Sequence, residues 1–247
     1  QGSAQPDGLL SQAVIFGASG GVGAALAAAV AASGRYQRVW AGSRGGAVAP
    51  TGASPFAFDL TDEASIAAAA TEIGGQGEVT LAIVATGILS DGPGFQPEKT
   101  FKAQDPAAYG RAFAINTTGP ALIGKHFLPL LPRRERAVFA ALSARVGSIS
   151  DNRLGGWHAY RASKAALNMI LRNFAIELGR THPQAVIAAL HPGTVATDLS
   201  APFTGLREGQ SLFTPAEAAG YLLKVIDGLS PEDSGQAFAW DSQSIPF

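Results

Sequence analysis

The chain has 247 residues, 47% of them hydrophobic, and a formal net charge of -1. This length and apolar content suit one large α/β domain, and the balanced charge, without runs of Lys or Arg, argues against a nucleic-acid partner. The sequence contains no cysteine, which excludes disulfides, zinc-thiolate sites and cysteine nucleophiles.

No stretch approaches the roughly 18 consecutive apolar residues of a membrane span. The first residues also lack the basic and then apolar profile of a signal peptide. We therefore expect a soluble, cytoplasmic protein with a small-molecule ligand and no membrane partner. Residues 1–11 are expected to be a disordered or expression-derived segment, and residues 12–247 a single domain.

Short apolar runs alternate with Ala-rich stretches along the chain. The runs predict strands at 13–16, 38–41, 55–58, 79–84, 137–142, 186–190 and 237–240. The stretches predict helices at 21–33, 61–73, 106–131, 157–181 and 214–229, with Thr61 and Thr214 as N-caps. This alternation predicts a Rossmann-type, doubly wound, parallel seven-stranded sheet in a three-layer α/β/α domain, with strand order 3-2-1-4-5-6-7.

A glycine-rich loop follows the first apolar strand and leads directly into a helix. It reads Gly17-Ala18-Ser19-Gly20-Gly21-Val22-Gly23. A dinucleotide pyrophosphate requires backbone N–H groups at a helix N-terminus, and glycines let the chain approach it closely. The loop therefore predicts a dinucleotide site.

The same letters also fit G-x-S-x-G, the turn that carries the nucleophilic serine of α/β-hydrolases. Ser19 would then act with Asp151 and His191, which follow in the required order. In that fold the turn normally follows several earlier strands, whereas here it follows the first. A serine hydrolase is therefore the least favoured alternative.

The end of the second strand favours NADP(H) over NAD(H). An NAD-type unit places an acidic side chain there, about 20 residues past the glycines, but residues 24–58 contain no Asp or Glu. Arg44 could bind a 2′-phosphate bidentately, with Ser43 as a further donor, unless Arg44 is only a solvated loop residue. Asp59 is expected either at the adenine amino group or at the start of the next helix.

Tyr160 and Lys164 lie four residues apart on a predicted helix and so face the same side, about 6 Å apart along its axis. A phenol has a pKa near about 10, and a nearby cation lowers it toward neutrality. Such pairs are common on amphipathic helices. This one follows the fifth strand, downstream of the nucleotide loop, which favours a catalytic role.

From about residue 12 to residue 247 the chain resembles the short-chain dehydrogenase/reductase family, most of all its C-factor and sniffer-like carbonyl reductase branch. The matching motifs are Gly17, Gly21 and Gly23, Asn116, Tyr160 and Lys164, Pro192-Gly193, and the stretches 146–152, 160–168, 191–199 and 239–247.

The resemblance implies reversible reduction of a ketone or aldehyde with NADPH, with NAD less favoured. Tyr160 would be the general acid/base, Lys164 would lower its pKa and bind the nicotinamide ribose, and Asn116 would hold a water. Thr197 would lie beside the nicotinamide carboxamide. The implied cofactor contacts are Gly17, Ser19, Gly20, Gly21, Val22, Gly23, Ser43, Arg44, Asp59, Leu60, Ala85, Gly87, Tyr160, Lys164, Pro192, Gly193, Val195 and Thr197.

Three further expectations concern metals, assembly and a lid. The four histidines lack metal-ligand spacing, so no metal is expected. Family members usually pair through the helices after the fourth and fifth strands, which implies a homo-oligomer. Residues 200–212 are expected to cover the substrate as a mobile lid.

The sequence departs from the family pattern at three places. Phe16 replaces a Thr before the glycine motif, and Val84-Ala85-Thr86-Gly87 replaces Asn-Asn-Ala-Gly. Ala144 occupies the position of the substrate-orienting serine, so Ser143, or less favourably Ser148, would have to replace it. If neither does, activity would be slow, and a non-catalytic NADP-binding sensor or signalling protein remains the main alternative.

Overall fold

The computed structural model of the chain describes residues 11–92, 94–197 and 212–247. Within these ranges the strands are β1 (Gln12–Phe16), β2 (Arg38–Ser43), β3 (Ser54–Ala57), β4 (Val79–Val84), β5 (Ala137–Leu142), β6 (Ala185–His191), β7 (Thr194–Val195), β8 (Leu212–Phe213), β9 (Gln236–Ala239) and β10 (Ser244–Ile245). The α-helices are α1 (Gly21–Ala32), α2 (Glu63–Gly74), α3 (Pro106–Phe113), α4 (Gly119–Phe127), α5 (His158–Leu178) and α6 (Pro215–Gly228).

In the described part of the chain, eight strands form the central sheet in the order β10-β9-β6-β5-β4-β1-β2-β3. Every neighbouring pair is parallel except β9 and β10. The predicted Rossmann-type fold and strand order are confirmed. The prediction of seven strands was one short, because the two residues of β10 are too few to show a strand pattern.

Both faces of the sheet are covered by helices, and every residue of β1 and β5 is buried. Phe16 lies at the centre of one apolar layer, with edge-on ring contacts to Phe56, Phe58 and Phe127 at 5.5, 5.1 and 4.8 Å. Such contacts add to the free energy of burying the rings. Phe16 thus fills the core where the family's Thr would offer a hydroxyl.

Gln12 begins β1 although it is polar and fully buried. Its Nε2 donates to Ile73 O at 3.0 Å and Gly77 O at 2.7 Å, and its Oε1 accepts from Trp40 Nε1 at 2.7 Å. A buried amide is tolerated when its donors and acceptor are satisfied. This residue therefore joins β1 and β2 to the end of α2.

Two predicted helices differ in detail. The helix predicted at 106–131 is divided into α3 and α4 by a π-helical turn, Ala114–Thr118. Asp62, and not Thr61, caps α2, because its carboxylate accepts from Ala64 N at 3.0 Å. Thr214 caps α6 as predicted, in a capping box with Glu217.

Two expectations fall largely on residues outside the described ranges. Of the predicted N-terminal segment 1–11 only Ser11 is described, and of the predicted lid 200–212 only Leu212. Among the helices that are described, none has both the length and the apolar character that a membrane crossing requires.

Candidate active site

A cavity of about 950 Å³ lies at the carboxyl ends of β1, β4, β5 and β6. This is the edge at which open α/β sheets bind ligands. Its wall contains these predicted site residues: Ser19, Gly20, Gly21, Val22, Gly23, Ala85, Gly87, Ser143, Tyr160, Lys164, Pro192, Gly193, Val195 and Thr197. The predicted residues Gly17, Ser43, Arg44, Asp59, Leu60 and Asn116 are not part of this wall.

The glycine loop turns sharply between β1 and α1. Gly17 has a φ of +90°, and a β-carbon at Gly23 would overlap the carbonyl oxygen of Gly17. Gly20 is the N-cap of α1 and provides no side-chain cap. Within the described residues, the N–H groups of the following first turn therefore lack an acceptor. Because this turn lines the cavity, it fits the pyrophosphate of a dinucleotide.

Ser43, Arg44 and Asp59 lie beside the cavity, at the ends of β2 and β3. The Ser43 hydroxyl is buried and accepts from Gly46 N at 3.2 Å, whereas Arg44 is exposed. The hydroxyl and N–H of Thr61, at 2.7 and 2.8 Å from Asp59 Oδ1, lower the pKa of Asp59, and the Arg44 guanidinium lowers it further. Asp59 thus stabilises the turn before α2, while Arg44 leaves its guanidinium open to solvent.

Tyr160 and Lys164 project from α5 into the same cavity. The Lys164 Nζ donates to Leu142 O at 2.8 Å and lies 5.9 Å from the centre of the Tyr160 ring. The Tyr160 ring is partly exposed to the cavity, and within the described residues its hydroxyl makes no hydrogen bond.

The pKa values of this pair are shifted by burial, which penalises the charged form of each group. Desolvation by the surrounding protein raises the pKa of Tyr160 to about 12. Desolvation also lowers the pKa of Lys164 to about 8. The Lys164 ammonium is turned toward Leu142 O. The predicted lowering of the phenol pKa by Lys164 stays a prediction.

Asn116 lies in the π-helical turn, behind the cavity wall. Its Oδ1 accepts from Ile88 N at 2.8 Å, and its Nδ2 donates to Ile88 O at 2.9 Å and to Ser163 Oγ at 3.1 Å. These bonds fasten the segment after β4, where the chain lacks the family's paired asparagines. Turns of this type occur frequently at functional sites.

Neither candidate replacement for the missing serine presents a free hydroxyl donor to the cavity. The Ser143 hydroxyl lies on the cavity wall but donates to Asn168 Oδ1 at 2.7 Å. Ser148 is not on the wall, and its hydroxyl accepts from Asp151 N at 3.1 Å. Ser143 can donate to a substrate oxygen only by giving up Asn168.

The serine hydrolase alternative lacks a catalytic triad. Asp151 pairs with Arg145 at 2.9 Å. Burial lowers the pKa of His191 to about 4, and among the described residues its buried Nδ1 has no hydrogen-bond partner. Ser19 is exposed on the glycine loop. Asp151 therefore does not orient the histidine toward Ser19 as a triad requires.

Half of the cavity wall consists of residues that were not predicted to act in the reductase site. These residues are Thr86, Leu89, Lys99, Leu142, Ala144, Arg145, Val146, Leu154, Gly155, Gly156, Trp157, Arg161, His191 and Thr194. The pair Gly155-Gly156 before an aromatic residue was the signal that could have found the turn before α5. The positions of the others depend on contacts between distant segments.

Comparisons with known proteins agree with this geometry. A family profile described as short chain dehydrogenase matches residues 11–205. The 1-hydroxy-2-glutathionyl-2-methyl-3-butene dehydrogenase of Rhodococcus sp. (strain AD45) is 44% identical over 126 residues, 51% of this chain and 53% of that protein. The C-signal of Myxococcus xanthus is 38% identical over 144 residues, 58% of this chain and 81% of that protein. The chain thus spans about half the length of the Rhodococcus relative.

Solved structures show the same fold. The NADPH-bound carbonyl reductase from chicken fatty liver has a TM-score of 0.81 and 28% identity, covering 97% of this chain and 100% of that one. Carbonyl reductase Sniffer of D. melanogaster also has a TM-score of 0.81, with 21% identity, 97% coverage of this chain and 100% of its own. At 21% identity, the similarity to Sniffer concerns the fold alone.

Substitution of Gly23 by alanine tests the dinucleotide loop. The added β-carbon would force the loop away from Gly17 O, so we expect NADPH affinity to fall about 100-fold or more, since small misplacements have effects of this size. Fluorescence titration with NADPH measures it. In the control Gly220→Ala, on an open face of α6, affinity should be unchanged. Equal affinities in the two variants would contradict a phosphate site at this loop.

Proposed function

The chain belongs to the short-chain dehydrogenase family, and we propose that it is an NADP(H)-dependent oxidoreductase that reduces a ketone or aldehyde to an alcohol, with Tyr160 as the proton donor. The observation that carries the proposal is that Tyr160 and Lys164 share one cavity wall with the uncapped N-terminus of α1. A dinucleotide with its phosphates on that helix could present its reactive ring to the phenol. Bound NADPH would supply the hydride.

The role of Tyr160 follows from its environment. With a pKa of about 12, the phenol keeps its proton at neutral pH. It can therefore donate to the oxygen of a carbonyl as that oxygen gains negative charge. The same pKa disfavours the reverse reaction, which needs a phenolate to accept the alcohol proton. The environment of Tyr160 thus keeps the phenol in the protonated form that carbonyl reduction requires.

Lys164 supports this chemistry as a buried cation. Its Nζ is fixed by Leu142 O at the end of β5. An ammonium held there stabilises negative charge that develops in the cavity, where the low dielectric strengthens the interaction. We propose that its remaining N–H groups also bind the nicotinamide ribose.

The proposed preference for NADP(H) rests on Arg44. The guanidinium is exposed at the end of β2. The nearby Asp59 carboxylate, which interacts with the charge of Arg44, also accepts hydrogen bonds from Thr61. Gly17 N and Ala18 N both donate to Gly42 O, which joins this strand end to the glycine loop. This connection supports the proposal that Arg44 binds near the adenosine half of a dinucleotide held by the loop.

A Tyr160→Phe variant tests the reductase. General acid catalysis contributes about 10²–10⁴-fold, so kcat for carbonyl reduction should fall by that factor while NADPH still binds. Nicotinamide absorbance over a panel of ketones and aldehydes measures it. Tyr36→Phe, between α1 and β2 and away from the cavity, is the matched control and should keep full activity. Undiminished turnover by the Tyr160→Phe enzyme would refute the assigned acid.

The pH profile provides a separate test. Lys164 has a pKa of about 8, so kcat/KM for reduction should be level below that pH and fall above it as the ammonium loses its proton. Loss of the Tyr160 proton, with a pKa of about 12, should not affect kcat/KM on either side of the Lys164 pKa. Alcohol oxidation should instead rise with pH. A reduction profile governed by a group of pKa near about 6 would contradict this assignment, since that value is typical of histidine.

Replacement of Arg44 by alanine tests the cofactor preference. Hydrogen bonds to charged groups contribute about 1.5–3 kcal/mol, so NADPH affinity should fall about 10- to 100-fold, while NADH affinity stays the same. Arg38→Ala is the control, because Arg38 begins the same strand at the opposite edge and donates to Gln76 Oε1 at 2.7 Å. A variant at position 44 that still prefers the phosphorylated cofactor would disprove the argument.

A second candidate is a nucleotide-binding signalling protein without turnover. Two observations favour it: the relative in Myxococcus xanthus is named C-signal, and the Ser143 hydroxyl is committed to Asn168. Such a protein would bind NADPH but leave every carbonyl unreduced, and Tyr160→Phe would leave its function intact.

Because the Rhodococcus relative is named for a glutathionyl alcohol, the substrate panel should include a glutathione conjugate.

We also propose a homo-oligomer that pairs through α4 and α5. Met169 and Ile176 lie on α5 and are 62% and 48% exposed. Large apolar side chains left open on one helix are typical of an interface between subunits.

A further inference from the structure

The backbone just before the active-site helix has an unusual conformation. Gly155, Gly156 and Trp157 have successive φ values of +64°, +67° and +52°. Glycine adopts such values freely, but a bulky L-residue does so only where its surroundings force it. In the described residues Ser242 is the other non-glycine with a positive φ. Something in the fold must therefore hold Trp157 in place.

In the part of the chain that the structure describes, Glu98 and Arg161 hold this turn from opposite sides. Trp157 N donates to the carbonyl oxygen of Glu98 at 2.5 Å. On the other side, the Arg161 guanidinium donates to Gly156 O at 3.0 Å and to Val146 O at 3.3 Å. Arg161 belongs to α5 itself, whereas Glu98 comes from a segment about 60 residues earlier.

The Glu98 side chain is 6% exposed and makes a second attachment to the same place. Its Oε2 accepts from Ala159 N, in the first turn of α5, at 3.3 Å. This turn has no acidic residue and no side-chain cap of its own. An anion at a helix N-terminus is stabilised by the free N–H groups and the helix dipole. Glu98 therefore supplies a cap that the local sequence lacks.

The two attachments of Glu98 act on Trp157, which lines the cavity, and on Ala159, two residues further along the chain. Its carbonyl holds Trp157 and its carboxylate holds Ala159, which immediately precedes Tyr160. The Trp157 ring meets the Tyr160 ring edge-on, with 6.2 Å between ring centres. Burying this carboxylate costs free energy, because its second oxygen, Oε1, has no partner among the described residues. A role in fixing the geometry of Trp157 and Tyr160 accounts for that cost.

We propose that Glu98 is a positioning residue, which fixes the Trp157 ring against Tyr160 by capping α5 from a distant loop. The kinetic part of this inference rests on the proposed carbonyl reduction, whereas the position of Trp157 can be observed without any turnover. Removing the carboxylate would leave the turn with one attachment on that side. Trp157 could then leave its left-handed conformation, and the phenol would lose its neighbour.

The test uses the full chain labelled with 5-fluorotryptophan, whose three tryptophans give three ¹⁹F signals. A Trp157→Phe variant assigns the signal of Trp157. In Glu98→Ala that signal should shift or broaden while those of Trp40 and Trp240 stay in place. The kcat for carbonyl reduction should fall about ten-fold, since misplaced catalytic groups lose rate, and NADPH affinity should be unchanged because the glycine loop is not involved.

Two further variants separate positioning from stability alone. Glu98→Gln keeps an oxygen that can accept from Ala159 N, so it should restore both the ¹⁹F signal and kcat. Asp62→Ala removes a carboxylate cap from α2, away from the cavity, and should lower the melting temperature without affecting Trp157 or kcat. If Glu98→Ala does not fold, Glu98→Asp withdraws the carboxylate by one methylene and should give an intermediate shift.

The results distinguish failure of the positioning role of Glu98 from failure of the proposed carbonyl reduction. An unmoved Trp157 signal in a folded Glu98→Ala or Glu98→Asp protein would overturn the positioning role, as would an unchanged kcat. If the unaltered protein reduces no carbonyl, the proposed function fails, and the ¹⁹F signals alone decide the role of Glu98.

Discussion

One buried amide, that of Asn116, connects the parts of the site that come from distant segments. It pairs with both backbone groups of Ile88 after β4 and donates to Ser163 on α5. Ser163 in turn donates to Tyr160 O at 2.8 Å. Since all of these groups are buried or nearly so, breaking one bond would leave a polar atom unsatisfied. Asn116 therefore links the segment after β4 directly to α5.

This connection is possible because a parallel sheet brings all its strand ends to one edge. The glycine loop follows β1, Ala85 follows β4, Leu142 ends β5 and Pro192 follows β6, so the ends of four strands line one cavity. The local signals for this arrangement were strong: apolar runs, helical stretches, and glycines between the first strand and helix. The fold, the strand order and 14 wall residues could therefore be predicted from the sequence.

What the sequence could not reveal depends on contacts between distant segments. Asn116 was assigned to a continuous helix, and its π-helical turn is stabilised by Ile88 and Ser163, neither a neighbour in sequence. The sequence left Ser143 free to donate to a substrate, but in the structure its hydroxyl donates to Asn168, which lies 25 residues away. Trp157 had no local signal for a left-handed conformation other than the glycines before it. In each case the spacing in the sequence predicts where the residue lies, and contacts with distant segments determine its conformation or its hydrogen bonds.

The pKa shifts of Tyr160 and Lys164 show an effect of burial that spacing alone does not reveal. Two residues one helical turn apart are expected to stabilise each other's charged forms. Burial acts on both at once and favours the neutral form of each, so it raises the phenol pKa and lowers the ammonium pKa. The Leu142 carbonyl turns the ammonium aside and weakens the attraction that would offset this cost. The wall therefore holds a phenol that keeps its proton at neutral pH beside a cation that is easily neutralised.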